Sequence, residues 1–169
     1  MILWLMGISG AGKTTLGEAL AQELRAQGER VLVIDGDLVR DFFDRDLGYS
    51  REEREANIKR IMLAAHCTGE TGAVVIVCNI FPFASLRALA RRKLRDYHLV
   101  WLRRTHAAAA AADVKGIYAA ANGRQVVGGD IPFDDPDDAD LVIDTDAEDA
   151  AASLARLRVF AAARREGGR

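Results

Sequence analysis

The chain has 169 residues, a length typical of one domain that buries its own core without disulfides or metals. Hydrophobic residues make up 50% and charged residues 28%, which excludes disordered and collagen-like classes. The formal net charge of −2 argues against a nucleic-acid partner, since such domains usually carry a basic excess. The sequence shows no apolar run long enough for a membrane helix and no signal-peptide pattern, so we expect a cytoplasmic protein without a membrane partner.

Short apolar runs alternate with segments of helical periodicity along the whole chain. The predicted strands are Ile2–Met6, Val31–Ile34, Ala73–Cys78, His98–Leu102 and Leu141–Ile143. The predicted helices are Thr14–Gln27, Leu38–Phe43, one from a Ser50–Glu53 capping box to about Thr68, one from Pro82 to about Arg95, Ala107–Ala121, and a last one over about 146–164 that Thr145 and Glu148 cap. The segment Gly128–Asp140 is rich in glycine and aspartate and is predicted to be a loop.

Strands that are apolar throughout, each followed by a helix, are typical of parallel βαβ units. The order of elements therefore predicts a single three-layer α/β domain over residues 1–169, with a central parallel sheet and helices on both faces. Ligands of such sheets bind at the carboxyl ends of the strands. Asp35, Asp37, Asn79 and Ile80 are expected to lie there.

The segment Gly7–Thr14 reads GISGAGKT and matches the phosphate-loop pattern G-x-x-x-x-G-K-[ST] between a predicted strand and a predicted helix. Its backbone N–H groups would surround a phosphate, Lys13 would reach the β- and γ-phosphates, and the Thr14 hydroxyl would hold Mg²⁺. The predicted triphosphate-binding residues are Gly7, Ser9, Gly10, Ala11, Gly12, Lys13, Thr14 and Thr15. The motif leaves ATPase, GTPase and kinase activity open.

Two carboxylates, Asp35 and Asp37, follow the second strand with Gly36 between them. Spaced at i and i+2, they can point to the same side, and either could accept a proton from a hydroxyl nucleophile or organise Mg²⁺. The structural alternative is a turn in which an aspartate caps a helix, because Asp37 precedes the predicted short helix.

Arginines and an amide follow these carboxylates at helical spacing. Arg40 lies one turn after Asp37, and Arg54 and Asn57 are at i and i+3 on the next helix, so both can meet one ligand. Guanidinium groups suit phosphate- or sulfate-like oxygens, which predicts a second, anionic substrate. The alternative is a solvated charged face, since Arg51–Arg60 alternates in sign.

Taken together, these motifs resemble the adenylylsulfate (APS) kinase family. The matching pieces occur in the order and spacing of the family from residue 2 to about 145: GISGAGKTT, DGDLVR, DLGYS, REANIKR, IFP, DVKGIY and a late GGD loop. The resemblance implies a P-loop nucleoside-kinase-like fold with a lid over about 104–128. It also implies transfer of the ATP γ-phosphate to the ribose 3′-hydroxyl of adenylylsulfate with Mg²⁺, as in sulfate activation, and it leaves room for a homodimer.

The resemblance also implies roles for individual residues. Asp35 would be the catalytic or Mg²⁺-organising acid and would act with Lys13 and Thr14. Tyr49 stands where the family has a phenylalanine that stacks on the acceptor base, and a tyrosine ring can do the same. The residues that would line the acceptor site are Asp37, Arg40, Tyr49, Arg54, Asn57, Ile80 and Lys115.

The chain departs from the family in the acceptor pocket and the lid. Phe81 replaces a serine that carries phosphate in some relatives, and Val126 stands where a second aromatic ring is expected. Ahead of Asp113 the lid has the alanines Ala107–Ala112 where the family carries charged residues including an arginine, so Arg103, Arg104 or Arg124 would have to supply that charge. Phe133 either replaces the missing ring or packs on the core.

These departures keep two other functions open. An altered pocket, formed by Phe81, Phe83, Val126 and Pro132-Phe133, would suit an APS-kinase-like enzyme that phosphorylates another nucleotide, such as a cytidine diphosphate derivative in surface-polysaccharide biosynthesis. The alanine lid would suit a nucleotide-binding module that has lost catalysis.

Overall fold

The computed structural model describes residues 1–111 and 132–166 of the chain. Its strands are β1 (Ile2–Met6), β2 (Val31–Asp35), β3 (Val74–Cys78), β4 (Tyr97–Arg103) and β5 (Leu141–Asp144). Its helices are α1 (Lys13–Ala26), α2 (Gly36–Phe42), α3 (Arg51–Gly69), α4 (Ala84–Lys93), α5 (His106–Ala111) and α6 (Ala150–Glu166). Among these helices none is both long and apolar enough to span a membrane.

The five strands form one parallel sheet in the order β2-β3-β1-β4-β5. β1 therefore lies at the centre. From β1 the chain runs to β2 at one edge, reverses its direction there, and passes through β3 and across β1 to β4 and β5 on the other side. In open parallel sheets such a reversal opens a crevice at the carboxyl ends of the strands. The phosphate loop follows β1 at this crevice, and Asp35 ends β2 two strands away.

Helices cover both faces of the sheet, which confirms the predicted three-layer α/β fold. On one face Trp4 and Met6 of β1 pack with Ile61 and Met62 of α3. On the other face Leu3 and Leu5 belong to the cluster that contains α1 and α6. Because successive side chains of a strand point to opposite faces, one apolar strand supplies both cores.

Three predicted helix starts are wrong, those of α2, α4 and α6, and in each an aspartate side chain accepts a hydrogen bond from an N–H group of the first turn. α4 begins at Ala84 instead of Pro82, and the Asp134 carboxylate accepts a hydrogen bond from the Ala84 N–H at 3.0 Å. α6 begins at Ala150, where Asp149 accepts from the N–H of Ala152 at 2.8 Å. The capping residue is therefore Asp149, and the expected Thr145 cap is not formed.

The other elements lie within a few residues of their predicted bounds. Gly28 ends the first helical segment with a φ of 85°, a conformation that glycine adopts without strain. The predicted helix Ala107–Ala121 is confirmed up to Ala111, and residues 132–140 form no helix or strand, as expected. The rest of that helix and of the lid, with Lys115, Arg124 and Val126, lies outside the described residues.

The close approach of α1 to β3 at Gly17 gives the first prediction. A Cβ atom at Gly17 would lie 2.6 Å from Cys78 Sγ and 3.3 Å from Ile76 Cγ2. Gly17→Ala should therefore lower the free energy of unfolding by about 1–3 kcal/mol, the usual effect of an overpacked core. Denaturant unfolding measures this change.

The control is a double-mutant cycle with Cys78→Ala, which removes the nearest clashing atom. The two changes together should destabilise the protein less than the sum of the single changes. Additive losses would contradict the proposed clash.

Candidate active site

The predicted triphosphate-binding residues form the loop 7–12 between β1 and α1 and the first turn of that helix. Gly10 and Gly12 have φ angles of 80° and 88°, values that residues with a Cβ rarely adopt. A Cβ at Gly7 would lie 2.5 Å from the carbonyl oxygen of Leu102 in β4. The glycines of the motif are therefore required by the backbone path of the loop.

Lys13 and Thr14 make the first polar contacts of this loop. The Lys13 ammonium group donates hydrogen bonds to the carbonyl oxygens of Gly7, at 3.0 Å, and Ile8, at 2.8 Å. The Thr14 hydroxyl donates to Asp35 Oδ2 at 2.8 Å. The hydrogen bond between Thr14 and Asp35 thus joins the start of α1 to the carboxyl end of β2. These are the two residues that were predicted to hold Mg²⁺.

Asp35 both caps a helix and faces the loop. Its Oδ1 atom accepts from the Asp37 N–H at 2.9 Å and caps α2, while Oδ2 accepts from Thr14. The expectation that Asp37 precedes the short helix is wrong, because α2 begins at Gly36 and Asp37 lies exposed in its first turn. Capping fixes the Asp35 carboxylate in place and leaves its second oxygen directed at Thr14.

The oxygen atoms of Thr14 and Asp35 fit a magnesium ion. Mg²⁺ prefers oxygen ligands and is usually held by one or two side chains, phosphate oxygens and water. No group of three or more His, Cys, Asp or Glu side chains that could hold a metal occurs within residues 1–111 and 132–166. The two side-chain oxygens of Thr14 and Asp35 suit an ion whose other ligands are phosphate oxygens and water.

Arg40, Tyr49 and Arg54 form a cluster beside this site. The Arg40 guanidinium carbon lies 4.6 Å from the centre of the Tyr49 ring, and that of Arg54 lies 5.1 Å from it. Arg40 is buried and donates to the carbonyls of Leu47 and Gly48 at 2.9 and 2.8 Å. Arg54 Nε donates to the Tyr49 carbonyl at 2.8 Å.

The two arginines of this cluster repel each other. Burial, together with the positive charge of Arg40, lowers the pKa of Arg54 from its usual value, although an arginine stays protonated at neutral pH. An anion between the two guanidinium groups would relieve both effects. Arg40 and Arg54 therefore do not belong to a solvent-exposed charged helix face, the alternative considered from the sequence. Arg51, which is exposed and pairs with Glu55, does.

Two asparagines surround Gly36. Asn57 is buried and donates through Nδ2 to the Gly36 carbonyl at 3.4 Å, and its Oδ1 atom has no hydrogen-bond partner among the described residues. A buried acceptor without a partner suits a ligand that donates a hydrogen bond. A Cβ at Gly36 would lie 2.5 Å from Asn79 Nδ2, so Asn79, which was predicted to lie at the ligand-binding edge of the sheet, also packs closely against Gly36.

The aromatic departures from the family lie in the core. Phe81 has no exposed surface and stacks on Trp4 with ring centres 4.3 Å apart. Phe83 is also buried, and Phe133 packs against both core clusters. The expectation that Phe81 and Phe83 line an altered pocket is therefore wrong. Ile80, predicted to line the acceptor site, is half-buried against the same core.

One of the candidate replacement arginines reaches the phosphate loop. Arg104 Nη1 donates to the carbonyl oxygen of Gly10 at 2.6 Å. Arg103 instead pairs with Asp144 at 2.7 Å. Sequence analysis could name both residues but could not choose between them, because the Gly10 contact joins positions 94 residues apart.

A loop that can surround a triphosphate faces a fixed carboxylate that can orient a hydroxyl group, and two arginines that flank an aromatic ring lie on the helices that follow. This combination on a parallel sheet defines a P-loop kinase. Comparison with known proteins narrows the class: the chain belongs to the adenylylsulphate kinase family, whose model matches residues 1–144.

Named relatives agree with this assignment. A probable adenylyl-sulfate kinase of Synechocystis is 37% identical over 158 residues, which span 92% of this chain and 89% of the relative. An adenylyl-sulfate kinase of Bacillus licheniformis is 40% identical over 151 residues, which span 86% of this chain and 77% of the relative. The solved APS kinase of Mycobacterium tuberculosis, in complex with AMPPNP and APS, superposes with a TM-score of 0.85 at 28% identity, covering 94% of this chain and 96% of its own.

The burial of Phe81 gives the second prediction. Phe81→Ser, which introduces the serine expected from the family resemblance, should lower the free energy of unfolding by about 3–5 kcal/mol because it removes a stacked core ring. The milder Phe81→Leu should lower it less and keep the protein folded for kinetics. Denaturant unfolding and the KM for the second substrate are the two measurements.

A core role for Phe81 predicts that Phe81→Leu leaves this KM unchanged. A raised or lowered KM without loss of stability would return Phe81 to the pocket.

Proposed function

We propose that this protein transfers the γ-phosphate of ATP to the ribose 3′-hydroxyl of adenylylsulfate, with Mg²⁺ as the metal ion. The observation that carries the proposal is the contact of Thr14 with Asp35 beside the Arg40–Tyr49–Arg54 cluster. A donor site and an acceptor site for an anionic nucleotide are then adjacent. Membership of the family and the complex of the Mycobacterium tuberculosis relative with AMPPNP and APS support this choice of substrates.

On the donor side, the loop binds the triphosphate through backbone N–H groups and the N-terminus of α1. Lys13 leaves the carbonyls of Gly7 and Ile8, which it contacts in this structure, and binds the β- and γ-phosphates. Thr14 and Asp35 would hold Mg²⁺, which neutralises phosphate charge when bound. Positioning and charge stabilisation supply most of the catalysis in phosphoryl transfer.

On the acceptor side, Asp35 orients the attacking hydroxyl and accepts its proton. Arg40 and Arg54 bind the anionic sulfate or phosphate groups, and Asn57 Oδ1 accepts a hydrogen bond from the acceptor. The Tyr49 ring is 46% exposed, and this exposed surface is available to stack on the base. Asp37, Ile80 and Lys115 complete the acceptor site by the family resemblance.

The structure weakens the reasons for another acceptor nucleotide. Phe81 and Phe83, two residues of the altered pocket, lie in the core, and Phe133 packs against it. Val126, another residue of that pocket, lies outside the described residues. The chain keeps Lys13, Thr14 and Asp35, and Thr14 donates to Asp35 at 2.8 Å, which speaks against an inactive binding module. A homodimer and a cytoplasmic location stay predictions.

The test of this function is ADP release by the purified protein with ATP and Mg²⁺. Adenylylsulfate should be preferred over other adenosine nucleotides and cytidine nucleotides by roughly tenfold or more in kcat/KM, since a site built for polar groups rejects ligands that lack them. Lys13→Ala should reduce the rate by about a hundredfold or more, because it removes a cation that stabilises the transferred phosphate.

The other outcomes have distinct meanings. Preference for a cytidine diphosphate derivative would overturn the acceptor and keep the kinase. Binding of ATP without transfer to any nucleotide would leave a module without catalysis.

The arginine cluster gives a further prediction. Arg54→Ala should raise the KM for adenylylsulfate about tenfold or more and leave the KM for ATP unchanged, because a hydrogen bond to a charged group contributes ~1.5–3 kcal/mol. The KM of Arg54→Lys for adenylylsulfate should lie between those of the unmodified protein and Arg54→Ala, since an ammonium group keeps the charge and loses the planar fork. Steady-state kinetics with each substrate varied in turn gives both KM values.

Arg51→Ala is the matched control on the same helix. Arg51 is exposed, pairs with Glu55 and lies over the Phe83 ring, so its removal should leave both KM values unchanged. Equal effects of the two substitutions would show that the general charge of α3, and not the cluster, attracts the acceptor.

A further inference from the structure

Arg104 contacts the phosphate loop from outside its own segment. It follows β4 and donates from Nη1 to the carbonyl oxygen of Gly10 at 2.6 Å. Gly10 is exposed at the tip of the loop and has a φ of 80°. The loop must turn its N–H groups toward a bound phosphate, so its carbonyls point outward and need partners elsewhere. For Gly10 that partner is Arg104.

A carboxylate on a third segment orients Arg104. Asp146, in the turn after β5, forms an ion pair with Arg104: its Oδ1 atom lies 3.4 Å from Arg104 Nε, which has no hydrogen-bond partner among the described residues. Its Oδ2 atom accepts from the Thr105 N–H at 2.8 Å. The hydrogen bonds with Thr105 lower the pKa of Asp146, and the charge of Arg104 lowers it further, so the carboxylate stays ionised at neutral pH. The Arg104 side chain is only 23% exposed, which limits its freedom to turn away.

The Gly10 contact is linked to Lys13 through the loop itself. The peptide group that contains the Gly10 carbonyl also contains the Ala11 N–H, which donates to the Ile8 carbonyl at 3.2 Å. The same Ile8 carbonyl accepts from Lys13 at 2.8 Å. Hydrogen bonds in series polarise one another, so a charged donor at Gly10 strengthens the bonds that shape the loop.

We propose that Arg104, oriented by Asp146, is a positioning residue that holds the tip of the phosphate loop ready for the donor triphosphate. The inference rests on the proposed function in taking this loop as the ATP site. Without Arg104 the tip would be ordered only when the nucleotide binds, and that ordering would weaken affinity.

The first experiment measures the affinity of a non-hydrolysable ATP analogue with Mg²⁺ by calorimetry. Arg104→Ala should weaken binding about tenfold, and Arg104→Lys should recover part of the loss because an ammonium group can still donate to Gly10. In kinetics the KM for ATP should rise, while kcat at saturating ATP and the KM for the acceptor change less than about twofold. Asp146→Asn should weaken binding of the analogue by less than Arg104→Ala does.

Arg103→Ala is the matched control, because Arg103 is adjacent, carries the same charge and pairs with Asp144 away from the loop. Its affinity for the analogue should equal that of the unmodified protein. Amide hydrogen exchange without nucleotide supplies a readout that does not depend on activity: exchange over residues 8–13 should accelerate in Arg104→Ala and not in Arg103→Ala.

Equal affinities and equal exchange in the two alanine variants would overturn the role of Arg104. Faster exchange throughout Arg104→Ala, with a matching fall in Tm, would also overturn it and indicate a general structural role. A protein that binds the analogue as expected but transfers no phosphate to adenylylsulfate would overturn the proposed acceptor and leave the role of Arg104 intact.

Discussion

The central position of β1 constrains the rest of this structure. β1 is hydrogen-bonded to β3 on one side and β4 on the other, and its five residues are buried on both faces. The chain leaves this strand at its carboxyl end through Gly7. There the backbone is so close to β4 that a Cβ atom at Gly7 would lie 2.5 Å from the Leu102 carbonyl oxygen. Gly7 is required at that point, and the phosphate loop that follows inherits its place between the ends of β3 and β4.

The neighbouring strands bring chemistry to this fixed loop. β2 ends in Asp35, which reaches Thr14, and β4 ends near Arg104, which reaches Gly10. In the proposed function the first contact lies on the side of the loop where phosphate is transferred, and the second supports the outer tip. The parallel arrangement makes both possible, since it collects the carboxyl ends of all strands at one edge of the sheet.

The Arg40–Tyr49–Arg54 cluster is held by hydrogen bonds to nearby backbone groups. Arg40 binds the carbonyls of Leu47 and Gly48, Arg54 binds that of Tyr49, and the Ser50–Glu53 capping box starts α3 between them. The capping contacts with Ser50 lower the pKa of Glu53, so its carboxylate is ionised at neutral pH. The backbone around Tyr49 is thus held by these contacts while Tyr49 itself stays 46% exposed, and two like charges lie close together.

The sequence alone determined the features that depend on nearby residues. The phosphate loop, the apolar strands and the α3 capping box are patterns within a few positions, and each was predicted where it occurs. Tertiary structure decided the features that depend on distant partners. Asp134 sets the start of α4 from 50 residues away, Trp4 draws Phe81 into the core, and Gly10 selects Arg104 over Arg103. A one-dimensional pattern specifies which side chains are available, but the sheet determines which of them meet, because only folding brings separate strand ends to one edge.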